Sequence, residues 1–489
     1  MADIKKLTAG LSKIVGKKNV ITCSAEMESY GKKYKGFADY EVPIGMVYVQ
    51  NSDEIKAVID FIREEIGCGI VACSSEDTVK MTEASLPAPG TEAIILNLSR
   101  MKRVFRVDTR NRVAFVEAGV TFAELEEALK GTGLALDCPF QVRPNQSVVA
   151  TMLDRDPITT PMNVWDTNDP LLCLEVVFGD GTIFRTGSAA GPGTLEEQWA
   201  AGVAMNNSMG PSHTDFARVL SGSQGTLGIV AWASIKLELV PSVEKMLYVE
   251  SESVEKAAPV IWKGVRRRLG NQYLMLNDFA LGCVIGQDAE EIDAIAAKAA
   301  PWTTAIDMVG KRMRPEQKVE YQTKDLKDLA EAAPIRVKPT EQIAAAGNLQ
   351  MKKIVSGHSE GKLWKHRYSG NAIDIFFLTT LDAADHFVET AKNVIGETAK
   401  LAVYIQPAMQ ARYCHLELVV PFAGNERESA RTLYAQLMEA LLAEGAFFSR
   451  PYGIGKAEIF EKAPMQVETI KKCKQLFDEK DVLNPNRFF

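Results

Sequence analysis

The chain of 489 residues contains 46% hydrophobic and 24% charged residues and carries a net charge of −7 at pH 7. These proportions are typical of a globular protein with one to three domains and a large core. The negative charge, without a stripe of lysine and arginine, argues against a nucleic-acid partner.

The start of the chain and the cysteines predict a cytoplasmic protein with reduced thiols. The first residues lack the apolar core of a signal peptide, and no apolar run approaches the roughly 20 residues that span a bilayer. The eight cysteines are scattered without Cys-x-x-Cys pairs, so they predict no iron–sulfur or zinc framework. His213 and His386 stand alone in the sequence, and we therefore expect no metal site.

Short strand-like runs and helical patterns alternate over residues 1–240. A helical pattern covers residues 56–66. A second covers residues 122–130, where Thr121 is a plausible N-cap and Gly131 follows the last turn. This half of the chain is therefore predicted to mix helices and strands.

The composition shifts after Pro241, and strands and helices alternate from there to about residue 444. We predict strands over 245–251, 374–380, 401–406 and 414–420, and helices over 254–269, 383–395 and 426–443. The pattern is typical of an α+β layer with antiparallel strands. Residues 307–357 are rich in charge and alanine, which predicts a helical insertion or a mobile flap.

The most informative segment of the chain is rich in glycine. Residues 222–229 read Gly-Ser-Gln-Gly-Thr-Leu-Gly-Ile, so three glycines recur at a spacing of three. Glycine permits a positive φ and lets a flat or anionic ligand lie against bare backbone. By itself such a run more often indicates a turn between two elements.

Five segments in the same order resemble the FAD domain of the vanillyl-alcohol oxidase and p-cresol methylhydroxylase family. That family includes D-lactate dehydrogenases and the FAD subunit of glycolate oxidase. The resembling segments are residues 43–66, 94–125, 174–187, 215–230 and 477–488. The resemblance implies an α+β fold, with a two-lobed FAD-binding domain of the vanillyl-alcohol oxidase type and an α+β cap domain with an antiparallel sheet.

The resemblance also implies where these domains begin and end. Residues 1–240 would form the FAD-binding domain, with lobes of about 1–100 and 101–240. Residues 241–449 would form the substrate or cap domain, and residues 450–489 would return to the FAD domain.

The cofactor contacts follow from the same resemblance. In the family, a G-S-E-G-T-L-G-I run packs against the adenine and pyrophosphate half of the flavin, and this chain departs from it only at Gln224. Two other motifs differ more: residues 72–78 replace a glycine-rich R-G-G-G-T-S loop, and residues 147–151 replace a T-I-G-G motif. The residues expected to contact FAD are Ser74, Ser75, Thr78, Ser147, Gly222, Ser223, Gly225, Thr226, Gly228, Ile229 and Asn484.

Candidate catalytic residues lie in the predicted cap and in the C-terminal return. Tyr413 and His415 are two positions apart, so they share a face of one strand. His415 stands where the hydroxy-acid branch carries the histidine of G-D-G-N-x-H, although the preceding G-D-G-N is absent. A second segment places Arg450 and Tyr452 where that branch carries H-G-I-G. A histidine or tyrosine there is able to move a proton, and an arginine to pair with a carboxylate.

Each of these residues also has a structural interpretation. A lone histidine on a strand is more often a satisfied structural residue than a base. Arg450 and Tyr452 are equally compatible with packing and ion pairing at the return of the chain.

The implied function is FAD-dependent dehydrogenation of an alcohol, a 2-hydroxy acid or a benzylic C–H substrate by hydride transfer to the flavin. Electrons would pass to an external acceptor or a partner subunit, in a homo-oligomer or hetero-oligomer. The altered loop at 72–78 keeps an alternative open: a non-catalytic or weakly flavin-binding paralogue within a multi-subunit flavoprotein complex.

Overall fold

The computed structural model describes residues 3–33, 39–75, 85–161, 169–211, 214–333, 335, 337–339, 361–396 and 399–488. Their strands form four sheets. Among these residues, every helix is too short or too polar to cross a lipid bilayer.

The first sheet has four strands and lies near the N-terminus. In spatial order they are Val20–Ile21, Gly45–Tyr48, Ala93–Asn97 and Gly69–Cys73. The three longer strands are parallel. The helices of this region are Ile4–Val15, Ser24–Lys33 and Ser52–Phe61. A π-helical turn over Ile62–Ile66 continues the last of them, which confirms the helix predicted over 56–66 and extends it backwards.

The second sheet has five antiparallel strands. In spatial order they are Val104–Asp108, Val113–Glu117, Gly228–Lys236, Leu171–Phe178 and Ile183–Arg185. Leu134–Ala135 and Glu238–Leu239 form a separate two-stranded ribbon. The helices here are Phe122–Leu129, Val148–Leu153, Leu195–Ala200 and Phe216–Leu220. The N-cap predicted for the helix Phe122–Leu129 is confirmed, because the Thr121 hydroxyl accepts a hydrogen bond from the Glu124 amide.

Both faces of the second sheet are buried. One face packs against the apolar residues of the first sheet and its helices. The other packs against the helices Phe122–Leu129 and Val148–Leu153. The central strand, Gly228–Lys236, therefore carries side chains that are buried along almost its whole length.

The third large sheet has seven antiparallel strands and confirms the predicted antiparallel α+β layer. In spatial order the strands are Val337–Pro339, Val243–Ser251, Trp302–Gly310, Gln272–Asn277, Ala402–Ala408, Tyr413–Phe422 and Asn371–Thr379. The helices of this region are Val254–Arg266, Asp278–Ile285, Ala289–Ala296, Pro315–Glu331, Ala384–Ile395 and Arg427–Ala443. Along Tyr413–Phe422, apolar side chains that meet the helix layer alternate with the polar pair His415 and Glu417.

The prediction for residues 307–357 is wrong at its start. Residues 307–310 complete the strand Trp302–Gly310. All nine residues of this strand are buried, and all nine pair with the strand Val243–Ser251. Tertiary burial overrides the local charge here, because Asp307 lies inside the sheet. A helix does follow, over Pro315–Glu331, and residues 340–357 lie outside the described part of the chain.

The C-terminal segment returns to the first sheet through the helices Lys456–Glu461 and Pro464–Phe477. The Ile70 amide donates to the Val482 carbonyl at 2.7 Å, and the Asn484 amide donates to the Ile70 carbonyl at 2.8 Å. Asp478, 1% exposed, accepts hydrogen bonds from the amides of Val482 at 3.0 Å and Leu483 at 2.7 Å. One buried carboxylate therefore shapes the turn that brings the chain end back.

We expect Asp478→Ala to lower the free energy of unfolding by about 1–3 kcal/mol, because two buried amides lose their acceptor. Urea denaturation measures the effect. Glu479→Ala is the matched control, since its side chain is exposed. Equal denaturation midpoints for the two variants would show that Asp478 does not stabilise the turn.

Candidate active site

A cleft with an empty volume of about 1180 Å³, including its open mouth, is built from three segments of the first half of the chain. Its described lining comes from residues 72–75, 146–156 and 220–230, with Ser85, Leu98, Ala118 and Arg450 completing it. Segments that lie far apart in the chain therefore form one cleft that is open to solvent.

The three glycines of residues 222–228 serve different purposes. Gly222 and Gly225 have φ of 77° and 71°, values that L side chains rarely adopt. A Cβ on Gly228 would lie 2.4 Å from Val176 Cγ2, so the backbone must pack directly on the neighbouring strand. A Cβ on Gly225 would meet no atom within 4 Å. Gly225 therefore leaves its backbone bare on the open side of the cleft.

Gln224, the one departure from the family's glycine run, holds the C-terminal return in place. Its side-chain amide donates to the Pro451 carbonyl at 2.9 Å. A glutamate carboxylate has no hydrogen to donate, so it would not make this contact. The Asn484 side chain in turn donates to the Gln224 carbonyl at 2.8 Å.

The residues expected to contact FAD fall into two groups. Ser74, Ser75, Gly222, Ser223, Gly225, Gly228 and Ile229 line the cleft. Ser147, Thr226 and Asn484 support the walls. The Ser147 hydroxyl donates to the Ala118 carbonyl at 2.6 Å and caps the helix Val148–Leu153, and the Thr226 hydroxyl donates to the Ser223 carbonyl at 2.7 Å. Thr78 lies outside the described residues.

The chemistry of the cleft walls fits FAD. Alanine, serine and glycine allow a ligand to approach the backbone closely, and the serine hydroxyls are able to donate to phosphate oxygens. Arg450 is the only basic residue among the described residues that line the cleft, and Asp154 and Asp156 line it too. Serine hydroxyls and backbone amides would therefore hold the diphosphate.

Four side chains gather where the C-terminal return meets the helix Val148–Leu153. Arg450, 6% exposed, forms an ion pair with Asp156 and donates to the Asp154 carbonyl at 3.2 Å. The Tyr452 hydroxyl donates to Asp154 Oδ1 at 3.0 Å. Two candidate residues from the sequence thus meet two acids that sequence reasoning missed.

The pKa of Asp154 is raised to about 6, mainly by burial and also by the neighbouring Asp156 carboxylate. The Tyr452 hydroxyl and the guanidinium groups of Arg450 and Arg155 act in the opposite direction. Burial and Asp154 raise the pKa of Tyr452, so that its hydroxyl keeps its proton and remains a donor. Asp154 is therefore a cleft carboxylate that changes charge close to neutral pH.

His415 lies behind this group and does not line the cleft. It is fully buried, with Nε2 3.0 Å from Glu417 Oε2 and Nδ1 3.5 Å from Arg450 Nη2. Tyr413 lies at the start of the same strand and is also not among the lining residues. The structure brings His415, Arg450 and Tyr452 together but leaves Tyr413 outside the cleft wall.

The sequence contained a signal from which Asp154 and Asp156 could have been identified as site residues. They follow residues 147–151, the stretch aligned with the family's flavin-facing T-I-G-G motif. Acids that close to a predicted cofactor wall are candidates for proton transfer.

Comparisons with known proteins agree with this architecture. The FAD binding domain family matches residues 43–187, which include two of the three cleft segments. The glycolate oxidase subunit GlcD of Bacillus subtilis is 21% identical over 458 residues, covering 92% of this chain and 89% of that protein. The mitochondrial D-lactate dehydrogenase [cytochrome] of Arabidopsis thaliana is 21% identical over 492 residues, covering 99% and 80%.

The structure of p-cresol methylhydroxylase with substrate bound superposes with a TM-score of 0.82 at 16% identity, covering 99% of this chain and 96% of that chain. This chain is an FAD-linked oxidoreductase that shares the fold of p-cresol methylhydroxylase. The resemblance, the α+β fold class, the FAD cofactor and the enzymatic nature of the chain are thus confirmed. A non-catalytic paralogue is not favoured.

In this FAD-linked oxidoreductase, we expect Gly225→Val to reduce the FAD content of the purified protein. The branched side chain would enter the cleft where the backbone is now bare, and the positive φ adds strain on the order of 1–3 kcal/mol. Visible absorbance after purification measures the bound flavin.

Gly131→Val is the matched control. Gly131 has a φ of 78° and open space around its Cβ position, but it does not line the cleft. We expect this variant to keep its flavin. If both variants retained full FAD, the glycine run would be a turn without a cofactor contact.

Proposed function

We propose that this enzyme dehydrogenates an uncharged alcohol or a benzylic C–H substrate, with Asp154 accepting the proton that the substrate releases. The observation that carries the proposal is the carboxylate of Asp154 in the cleft wall, with a pKa raised to about 6. Bound FAD would supply the redox chemistry by accepting a hydride from the substrate carbon.

Asp154 meets two requirements of a general base. It lines the cleft, so a bound substrate is able to reach it. A base is most effective when its pKa lies near the working pH, and burial brings Asp154 close to that value. The Tyr452 hydroxyl, which donates to Oδ1, would fix the orientation of the carboxylate.

The charge of the cleft wall supports an uncharged substrate. Arg450 is already paired with Asp156, and Asp154 adds a second acid nearby. A substrate carboxylate would have to compete with Asp156 for the guanidinium while lying close to Asp154. Repulsion between like charges at such short range would weaken the binding of that substrate.

A 2-hydroxy acid is the second candidate substrate. The relatives named as glycolate oxidase subunit and D-lactate dehydrogenase favour it. Arg450 would then bind the carboxylate and Asp156 would have to release it.

The remaining assignments are proposals of the same kind. We propose a FAD domain over residues 1–240, a cap over 241–449 and a return over 450–489. We also propose that the enzyme works in the cytoplasm as an oligomer and passes its electrons to an external acceptor or partner subunit.

We expect Asp154→Asn to slow reduction of the bound flavin by substrate by roughly 10²–10⁴-fold, because the amide cannot accept the proton. Anaerobic stopped-flow measurement of the visible absorbance of the oxidised flavin follows the reaction. Asp328→Asn, an exposed change on the helix Pro315–Glu331, is the control. A panel of benzylic alcohols, aliphatic alcohols and D-2-hydroxy acids identifies the substrate class.

The wild-type rate should fall as the pH drops through about 6, because protonated Asp154 no longer accepts a proton. The same raised pKa means that the ionised carboxylate costs stability at high pH, so Asp154→Asn should melt no earlier than wild type at pH 8. An Asn variant that reduces flavin at the wild-type rate would remove Asp154 from the mechanism.

A further inference from the structure

Arg450 at the cleft wall is backed by a row of buried polar side chains that leads away from the cleft. In order, the row is His415, Glu417 and Lys365, and it ends at the partly exposed Asp374. His415 and Glu417 are 0% exposed and Lys365 is 4% exposed. None of the three lines the cleft, so a bound substrate would not touch them. Their contacts with one another therefore call for a role other than direct catalysis.

Hydrogen-bond chemistry fixes the protonation of the histidine ring. A guanidinium group has only hydrogens to offer, so His415 Nδ1 must accept from Arg450 Nη2. The ring hydrogen then lies on Nε2 and is donated to Glu417 Oε2 at 3.0 Å. The two contacts together favour the Nε2–H tautomer of His415, and both ring nitrogens are directed at protein groups.

Glu417 and Lys365 hold this tautomer in place. Lys365 Nζ forms ion pairs with Glu417 Oε1 on one side and with Asp374 on the other. The negative Glu417 therefore has a hydrogen bond from the imidazole on one oxygen and an ammonium on the other. Charges buried this deeply persist only when they are paired, so each member depends on the next.

Aromatic rings close the sides of the row. The Phe376 ring centroid lies 5.5 Å from that of His415, and the Tyr404 centroid lies 5.9 Å away. The Arg450 guanidinium also lies 4.4 Å from the Phe376 centroid. The imidazole therefore supports the guanidinium from behind, while Asp156 pairs with it.

We propose that His415, Glu417 and Lys365 are positioning residues, which hold the Arg450 guanidinium at the cleft wall against Asp156. In this arrangement His415 is not the base, in contrast to the proton-transfer role that the family resemblance implies for it. The proposal rests on the function proposed above, in which the Asp154, Asp156 and Arg450 group faces the substrate.

Two substitutions of His415 separate a positioning role from a base. Gln is able to accept through its carbonyl and donate through its amide, as the neutral imidazole does, whereas Leu does neither. We expect His415→Leu to slow flavin reduction about 10–100-fold, since a misplaced group costs this much. His415→Gln should restore most of the lost rate and keep the fall in activity near pH 6.

Glu417→Gln provides a second variant in case the leucine variant does not fold. The amide keeps the size of the side chain but places a donor or a neutral oxygen opposite the Lys365 ammonium. We expect a loss of about 10-fold in the same assay, with unchanged FAD absorbance. His386→Leu is the control, because it removes an exposed histidine that also contacts a glutamate, Glu444, at 2.8 Å.

The outcomes distinguish this proposal from the one on which it rests. If His415→Gln and His415→Leu both lose roughly 10²–10⁴-fold and the low-pH fall disappears, His415 is the base and the positioning role is wrong. Wild-type rates in His415→Leu and Glu417→Gln, with Asp154→Asn inactive, would overturn the positioning role alone. A fully active Asp154→Asn would instead overturn the proposed function.

Discussion

The buried ion pair between Asp156 and Arg450 joins the two parts of the chain that make the site. Asp156 follows the helix Val148–Leu153 of the first half, and Arg450 begins the C-terminal return. Both side chains are less than 9% exposed, so neither charge would be tolerated without the other. The position of Tyr452 against Asp154 depends on the same junction, because the return must be seated before the hydroxyl reaches the carboxylate.

Neighbouring contacts reinforce this junction from several directions. Arg155 donates to the Ser449 carbonyl at 2.8 Å, and Gln224 donates to the Pro451 carbonyl at 2.9 Å. The glycine run and the C-terminal return are therefore joined by hydrogen bonds through Gln224. Any movement of the return would move the cofactor wall and the proposed base together, which links cofactor binding to the chemistry of the site.

Residues 72–75 of the altered loop contribute to the cleft wall. Ser74 and Ser75 line the same cleft as the bare backbone of Gly225. Serine hydroxyls and bare glycine backbone thus line one cleft. Asp154 and Asp156 line it together with Arg450, so their charge acts on whatever the cleft binds.

Periodicity by itself predicted the antiparallel α+β layer after residue 241, because it is a local property of neighbouring residues. The fold class and the candidates His415, Arg450 and Tyr452 came from the resemblance of several segments to a known family. Only the tertiary structure decided which groups these residues meet, since Asp154 meets Tyr452 across 298 positions. A strand pattern shows that His415 shares a face with Glu417, but not that Arg450 and Lys365 close both ends of that pair. Burial and charge pairing between distant segments, which no local pattern encodes, enclose the His415 ring between Arg450 and Glu417.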